Sequence, residues 1–237
     1  MKTKPSPRKE RDLLDKIEDF IESRIEDKIK KGLDDVEAFL RKELRELREK
    51  AKDDEHGPFS YLEKFLKDRK VASVAPSTKF LIGKVFKRMD LKRTKIVVEY
   101  GAAEGVMTRP LLAKLPADGK LVAVELNGGF AAKLKQLEDP RLVVIQGSVT
   151  DIDALVAPLG LPPADAIISG IPFSFLSPLE RHQLLHKTVD LLKPGGRFVA
   201  YQVTTHLIPL MKYHFREVEI DYEVRNLPPH FVFTGVK

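Results

Sequence analysis

The sequence predicts an α/β fold: a seven-stranded, doubly wound sheet that ends in an antiparallel hairpin and follows an N-terminal helical extension. Two patterns lead to this fold class. After Thr94, short runs of β-branched residues alternate with helical segments, the pattern of a mainly parallel sheet with helices on both faces. Before His56, apolar residues recur every three or four positions in a charged background, as in an amphipathic helix. The predicted units are residues 1–57 and 58–237.

The expected order of elements in the second unit follows from these runs. Strands are predicted at 95–100, 121–126, 142–146, 164–169, 197–203, 217–224 and 230–234. Helices are predicted at 107–115, 128–137, 151–158 and 178–192. Because only the loop 225–229 separates the last two strands, we expect them to pair as a hairpin at one edge of the sheet.

The extension carries a narrow apolar stripe from Leu14 to Leu47, with Gly32 at its middle. A long kinked helix and a helical hairpin both fit this pattern. Residues 1–57 hold 16 basic and 17 acidic residues, so their charge gives no attraction to an anionic surface. We therefore expect the stripe to pack against another helix, within the chain or between chains of a homo-oligomer.

Composition narrows the possible chemistry. The 237 residues include no Cys, which excludes disulfides, thiolate nucleophiles and thiolate metal sites. Without a stretch of roughly 20 apolar residues, the chain is expected to be cytoplasmic. Residues 58–237 carry 25 basic and 18 acidic residues, and 58–95 alone carry 11 basic against three acidic ones. Such a surface favours phosphates, either of nucleic acid or of a lipid leaflet.

A glycine loop follows the first predicted strand, where Glu99 precedes Gly101 and Gly105. The second strand ends in Glu125, placed to accept hydrogen bonds from ribose hydroxyls. Ligands of doubly wound sheets bind beyond the carboxyl ends of the strands, so this pair indicates a nucleoside cofactor. Ala103 replaces a middle glycine and Glu104 adds negative charge, which favours a sulfonium over a pyrophosphate.

These motifs resemble the Rossmann-like class I S-adenosylmethionine-dependent methyltransferases. The more detailed similarity is to bacterial phospholipid N-methyltransferases, such as those acting on phosphatidylethanolamine, and to the related rRNA adenine dimethyltransferases. The residues that carry it are Val74-Ala75-Pro76-Ser77-Thr78, the glycine loop, Ser169-Gly170-Ile171-Pro172-Phe173, Lys193-Pro194-Gly195-Gly196-Arg197 and Asn226-Leu227-Pro228-Pro229. The resemblance covers roughly residues 60–237 and does not include the extension.

The resemblance implies roles for individual residues. Binding of S-adenosylmethionine is expected at Glu99, Gly101, Ala103, Gly105, Glu125, Leu126, Ser148, Val149 and Ser169. Gly170, Ile171, Pro172 and Phe173 are expected to form the catalytic turn that receives the substrate amine. Its backbone carbonyls would accept the amine hydrogens, and the Phe173 ring could face a methylated ammonium by cation–π attraction.

The sequence departs from the family pattern at three points. Ala103 stands where the loop usually has Gly, and Ser148 stands near the position of an acid that meets the adenine, with Asp151 a possible substitute. Gly170 stands where the adenine dimethyltransferases have Asn. Loss of that amide favours a flexible alkyl amine over a nucleobase. His182 and His186 lie one helical turn apart without an evident third ligand, so no metal site is predicted.

The resulting hypothesis is methyl transfer to the amine of a membrane aminolipid such as phosphatidylethanolamine. The partners expected are the lipid and an anionic membrane surface, contacted from the inner face through an amphipathic basic helix at 59–70. Nucleic acid is a less favoured partner. The sequence leaves two alternatives open: methylation of RNA or protein, and a non-catalytic scaffold that binds cofactor or membrane.

Overall fold

A computed structural model describes residues 79–226 and 229–237 of the chain. The strands are β1 (Ile96–Tyr100), β2 (Lys120–Glu125), β3 (Leu142–Gln146), β4 (Ala164–Ser169), β5 (Leu192–Gln202), β6 (Glu217–Glu223) and β7 (His230–Val236). The helices are α1 (Lys79–Met89), α2 (Thr108–Leu112), α3 (Gly128–Lys135), α4 (Ile152–Val156), α5 (Pro178–Leu191) and α6 (Ile208–His214). The predicted extension 1–57, the boundary after it, the helix at 59–70 and the motif at 74–78 lie outside the described residues.

The seven strands form one sheet in the order β3-β2-β1-β4-β5-β7-β6. The first five strands are parallel, and β7 pairs antiparallel with both β5 and β6. This confirms the predicted fold class, including the terminal hairpin. The order reverses next to β1, so the crevice outside the carboxyl ends of β1 and β4 is the expected ligand site.

Two regions differ from the sequence prediction. The fifth strand begins at Leu192 rather than at residue 197, because Leu192 pairs with Ala164 while Arg197 pairs with Ala166, and the residues between them bulge out of the ladder. Helix α6 was not predicted at all. Its buried residues, Ile208 and Met211, are too few to give a clear helical period in the sequence.

Alternating side chains of the strands build a core on each face of the sheet. On β1, Val97 packs with α1 residues such as Leu81 and Phe86, whereas Val98 packs on the opposite face with α5 residues such as Leu184. Both faces are therefore covered, as the near-continuous apolar strands require.

Ion pairs join α1 to the terminal hairpin. The Glu223 carboxylate is fully buried, accepts hydrogen bonds from Arg225 Nε at 2.7 Å and Nη2 at 3.0 Å, and lies 3.4 Å from Lys84 Nζ. Arg88 pairs with Asp221 and Glu219 on the same strand. Lys84 and Arg88, two of the basic residues of the segment 58–95, thus bind acidic residues of the protein itself.

Loss of the Glu223 carboxylate should destabilise the hairpin. Burial alone would raise the pKa of Glu223, but hydrogen bonds from Arg225 and the charge of Lys84 hold it below its ordinary value. We expect Glu223→Ala to lower the free energy of unfolding by about 2 kcal/mol at pH 7, measured in urea. Because the folded pKa is lowered, the difference from wild type should shrink as the pH falls below the ordinary pKa of Glu.

The matched control is Glu219→Ala, which removes a half-exposed carboxylate from the same strand. We expect this control to cost less than about 1 kcal/mol at any pH. Equal losses for the two variants at pH 7 would contradict the role assigned to Glu223.

Candidate active site

Three glycines mark the points where the chain leaves the carboxyl ends of the strands. Gly101, Gly147 and Gly170 follow β1, β3 and β4 directly. Their N–H groups donate to the carbonyl oxygens of Val124, Glu125 and Tyr100 at 2.9, 3.1 and 3.2 Å. Each glycine extends the ladder by one hydrogen bond before its loop turns away. The loops that carry most of the predicted site residues therefore start at one edge of the sheet.

Glu125 is the last residue of β2 and is 7% exposed. Its Oε2 accepts a hydrogen bond from Ala103 N at 2.8 Å, and its Oε1 accepts one from Asn127 N at 2.8 Å. Each carboxylate oxygen has two lone pairs, so both retain acceptor capacity after these contacts. The carboxylate holds the glycine loop in place and can still receive hydroxyl donors from a ligand.

Asn127 is a site residue that the sequence reasoning did not select. Its Oδ1 accepts hydrogen bonds from Gly129 N at 2.9 Å and Phe130 N at 3.1 Å, which caps α3. Because its own N–H is bound by Glu125, this helix begins at a fixed distance from the end of β2. An Asn directly before a helix is a capping signal that the sequence does contain.

Three residues of the glycine loop adopt a left-handed backbone conformation. The φ angles of Gly101, Ala103 and Gly105 are +72°, +45° and +84°. At Gly101 a Cβ would lie 2.6 Å from Cγ2 of Ile171, so this position also requires the absence of a side chain. Ala103 adopts a conformation that costs an L-residue roughly 1–2 kcal/mol, and the hydrogen bond to Glu125 offsets part of this cost.

Glu99 lies on β1 beneath the loop and is 2% exposed. Its Oε2 accepts a hydrogen bond from Thr108 Oγ1 at 2.7 Å. Burial raises the pKa of Glu99 to about 7, the Thr108 hydrogen bond opposes the shift, and the charge of Glu125 adds to it. The carboxyl group therefore holds its proton more tightly than an exposed Glu does and would gain charge beside a bound cation.

Leu126, Ser148 and Val149 follow β2 and β3. The Leu126 side chain follows β2 directly and is 71% exposed. The Ser148 hydroxyl accepts from Thr150 N at 3.3 Å and lies 2.7 Å from Thr150 Oγ1, so it caps the short helical turn that Val149 begins. Its observed contacts serve local structure.

The turn after β4 contains the predicted substrate residues. Ser169 Oγ is buried and has no hydrogen-bond partner among the residues that the structure describes. From α5, Arg181 Nε donates to the carbonyl oxygens of Phe173 at 2.8 Å and Leu176 at 2.9 Å. These hydrogen bonds attach the turn to α5. Ile171 of the turn lies next to Gly101 of the glycine loop.

Phe173 has a different place from the one its predicted role requires. The ring is 2% exposed and packs edge-on against Phe198 with ring centroids 6.3 Å apart. A ring that is enclosed in the core with Phe198 cannot contact a substrate ammonium outside that core. Phe173 instead holds the turn, since its N–H lies 3.4 Å from Oε1 of Gln202.

The described part of the chain contains no group of three or more His, Asp or Glu residues that could hold a metal ion. His182 does not pair with His186. Its Nδ1 lies 3.1 Å from Nε2 of His214 on α6, and His186 lies 3.8 Å from Asp190.

Comparison with known proteins identifies the family. A family model described as a methyltransferase domain matches residues 97–196. An ornithine lipid N-methyltransferase of Singulisphaera acidiphila is 30% identical over 188 residues, which cover 76% of this chain and 96% of that protein. The chain belongs to the S-adenosylmethionine-dependent methyltransferases.

Other relatives of the methyltransferase act on RNA or share only its fold. A probable ribosomal RNA small subunit methyltransferase A of Pyrobaculum islandicum is 30% identical over 141 residues, covering 56% of this chain and 54% of the relative. The 1,6-didemethyltoxoflavin-N1-methyltransferase of Burkholderia thailandensis, solved with S-adenosylhomocysteine, has a TM-score of 0.56 at 19% identity, covering 76% of this chain and 86% of that one.

The crevice of the methyltransferase fits its methyl donor. Glu125 has acceptor capacity for the ribose hydroxyls, and the exposed Leu126 can cover one face of the adenine. Gly101 and Gly105 would let the amino-acid end of the cofactor approach the backbone, and Glu99 would supply negative charge toward its cationic groups. When bound, S-adenosylmethionine supplies an electrophilic methyl group.

Removal of the Glu125 carboxylate should weaken cofactor binding. Charge-assisted hydrogen bonds to two hydroxyls contribute roughly 1.5–3 kcal/mol. We expect Glu125→Ala to raise the Kd for S-adenosylmethionine at least about tenfold by calorimetry, without unfolding the domain. Glu217→Ala is the control, because this exposed residue of the edge strand β6 pairs with Arg216, and it should leave the Kd within about twofold. Unchanged affinity in folded Glu125→Ala would contradict the assignment.

The Glu99→Gln substitution should raise the stability of the protein at pH 8 but weaken cofactor binding. The folded protein holds a proton that the unfolded chain releases between pH 4.5 and about 7, so wild-type stability falls as the pH rises through this window. Gln still accepts the Thr108 hydrogen bond without a charge to bury. We expect the variant to be more stable than wild type by about 2 kcal/mol at pH 8 but not at pH 4. Its Kd for S-adenosylmethionine at pH 7.5 should rise about tenfold. Lower stability at pH 8 would show that the Glu99 carboxyl is not strained by burial.

Proposed function

We propose that this methyltransferase transfers methyl groups from S-adenosylmethionine to the amine of a membrane aminolipid such as phosphatidylethanolamine. The observation that carries the proposal is the similarity to an ornithine lipid N-methyltransferase along nearly the whole length of that protein. The ribosomal RNA relative named above is matched over about half of its length. This long alignment with the lipid enzyme supports a similar class of substrate.

Exposed apolar side chains next to the catalytic turn support a lipid substrate. Phe175 is 55% exposed and Leu179 is 67% exposed, directly after the turn that contains Gly170. Large apolar side chains exposed together beside a site are suited to a ligand with acyl chains. Phe175, unlike Phe173, is open to solvent in this segment.

The chemistry requires positioning more than an acid or a covalent nucleophile. Methyl transfer from a sulfonium is an in-line displacement by a neutral amine nitrogen, so the reaction depends on orientation and on exclusion of water. The carbonyl oxygens of Pro172 and Phe173 already bind N–H groups of the protein, so the other carbonyl oxygens of the turn 169–173 would accept the amine hydrogens and direct the nitrogen lone pair toward the methyl group. Arg181 and Gln202 keep that turn rigid.

The proposal includes peripheral attachment to the anionic inner face of the membrane. No helix among the described residues combines the length and the apolar character needed to cross a bilayer. The predicted basic helix at 59–70 lies outside those residues, so attachment through it rests on the sequence alone. Oligomerisation through residues 1–57 has the same status.

A second candidate, methylation of ribosomal RNA, is favoured by several rRNA methyltransferases among the relatives. The basic composition of the domain suits either an RNA backbone or anionic head groups. The nature of the methylated fraction decides between the two candidates.

The deciding experiment offers labelled S-adenosylmethionine with lipid, RNA and protein fractions of one cell extract. We expect label in the lipid fraction, at the amine of an aminolipid, and at least about tenfold less with Glu125→Ala at limiting cofactor. Glu217→Ala is the control and should label lipid as wild type does. Label confined to RNA or protein would overturn the lipid proposal.

A further inference from the structure

The space above Gly170 is occupied by a phenol. Tyr201 lies on β5, and a Cβ added to Gly170 would meet its hydroxyl oxygen well inside van der Waals contact and its Cζ at 2.8 Å. The strand register explains this contact. Ser169 pairs with Ala200, so one residue further along, Gly170 and Tyr201 lie side by side on the same face.

We propose that Tyr201 is a substrate-binding residue whose hydroxyl accepts a hydrogen bond from the amine to be methylated. This inference rests on the proposed function, because it places an amine at the turn after β4. The absence of a side chain at Gly170 then has a physical purpose: it leaves room for a hydroxyl delivered from the neighbouring strand.

The location of this hydroxyl suits the reaction. Gly170 is followed by Ile171, whose Cγ2 touches the position of a Cβ on Gly101 of the glycine loop. The Tyr201 hydroxyl therefore borders the place where the cofactor loop and the catalytic turn meet. A phenol can donate one hydrogen bond and accept two, so it can accept from an amine whatever its proton binds.

Residues of the terminal hairpin fix the ring of Tyr201. The ring of His230 lies beside it, with centroids 6.2 Å apart. Nδ1 of His230 is 2.9 Å from Nδ2 of Asn226, an amide nitrogen that can only donate, so His230 accepts at Nδ1. Asn226 is 1% exposed. Asn226 thus reaches the site through His230, and we regard both as positioning residues.

The proposal predicts a dependence on how many methyl groups the amine already carries. A neutral primary amine has two N–H groups, a monomethylated amine has one, and a dimethylated amine has none. Only the earlier transfers can use a hydrogen-bond acceptor. Removal of the Tyr201 hydroxyl should slow them selectively, whereas a general loss of packing would slow every transfer alike.

The test compares Tyr201→Phe with wild type on phosphatidylethanolamine and its mono- and dimethylated forms in mixed micelles, with products separated by mass spectrometry. We expect kcat on the unmethylated lipid to fall about tenfold, and kcat on the most methylated lipid that wild type accepts to stay within about threefold. Tyr222→Phe is the control, because this buried phenol packs against Phe231 on the opposite face of the sheet. An equal loss on all lipids, or no loss, would overturn the proposal.

A stability measurement tests the location of the hydroxyl without relying on activity. Gly170→Ala should shift the urea midpoint less in a Tyr201→Phe background than in wild type, because the closest clashing atom is then absent. Equal shifts would overturn the placement. If wild type labels RNA or protein instead of lipid, the proposed substrate class is wrong. The Tyr201→Phe variant is then assayed on the RNA or protein that is labelled, and its activity there decides whether the hydroxyl binds the nitrogen that is methylated. A wild-type protein that labels no fraction would overturn both proposals.

Discussion

One carboxylate, that of Glu125, determines how the parts of the cofactor site fit together. It binds the glycine loop through Ala103 N and the start of α3 through Asn127 N, while the carbonyl oxygen of Glu125 accepts from Gly147. The positions of three loops therefore depend on hydrogen bonds to the last residue of one strand. Because the carboxylate keeps spare lone pairs, the group that organises these loops is also suited to bind a ribose.

The sheet could be predicted from the sequence because its strands are short apolar runs separated by helices of ordinary length. The bulge at the start of β5 and the short helix α6 could not. A Pro-Gly-Gly segment is typical of a turn that precedes a strand. Only the pairing of Leu192 with Ala164 shows that β5 begins before this segment. Two buried residues in α6 give too weak a period to distinguish a helix from a loop.

The cofactor side of the site was predictable to a greater degree than the substrate side. Glycines and acids at strand ends are local signals, and the structure brings Gly101, Glu99 and Glu125 to one edge of the sheet. The contact between Gly170 and Tyr201 depends on the register between two strands, which no local pattern encodes. Likewise, an aromatic residue after Pro172 gives no sign in the sequence of whether its ring enters the crevice or the core.

The position of β7 has a consequence for synthesis of the protein on the ribosome. This strand follows β5 and β6 in the sequence but lies between them in the sheet. Until it emerges, β6 has no partner and the outer edge of β5 exposes unpaired backbone groups. A sheet with exposed strand edges is therefore present from the completion of β5 at Gln202 until β7 is complete at Val236. Chaperones that shield strand edges should bind it during that interval, and premature termination before residue 230 should yield aggregates rather than a smaller folded domain.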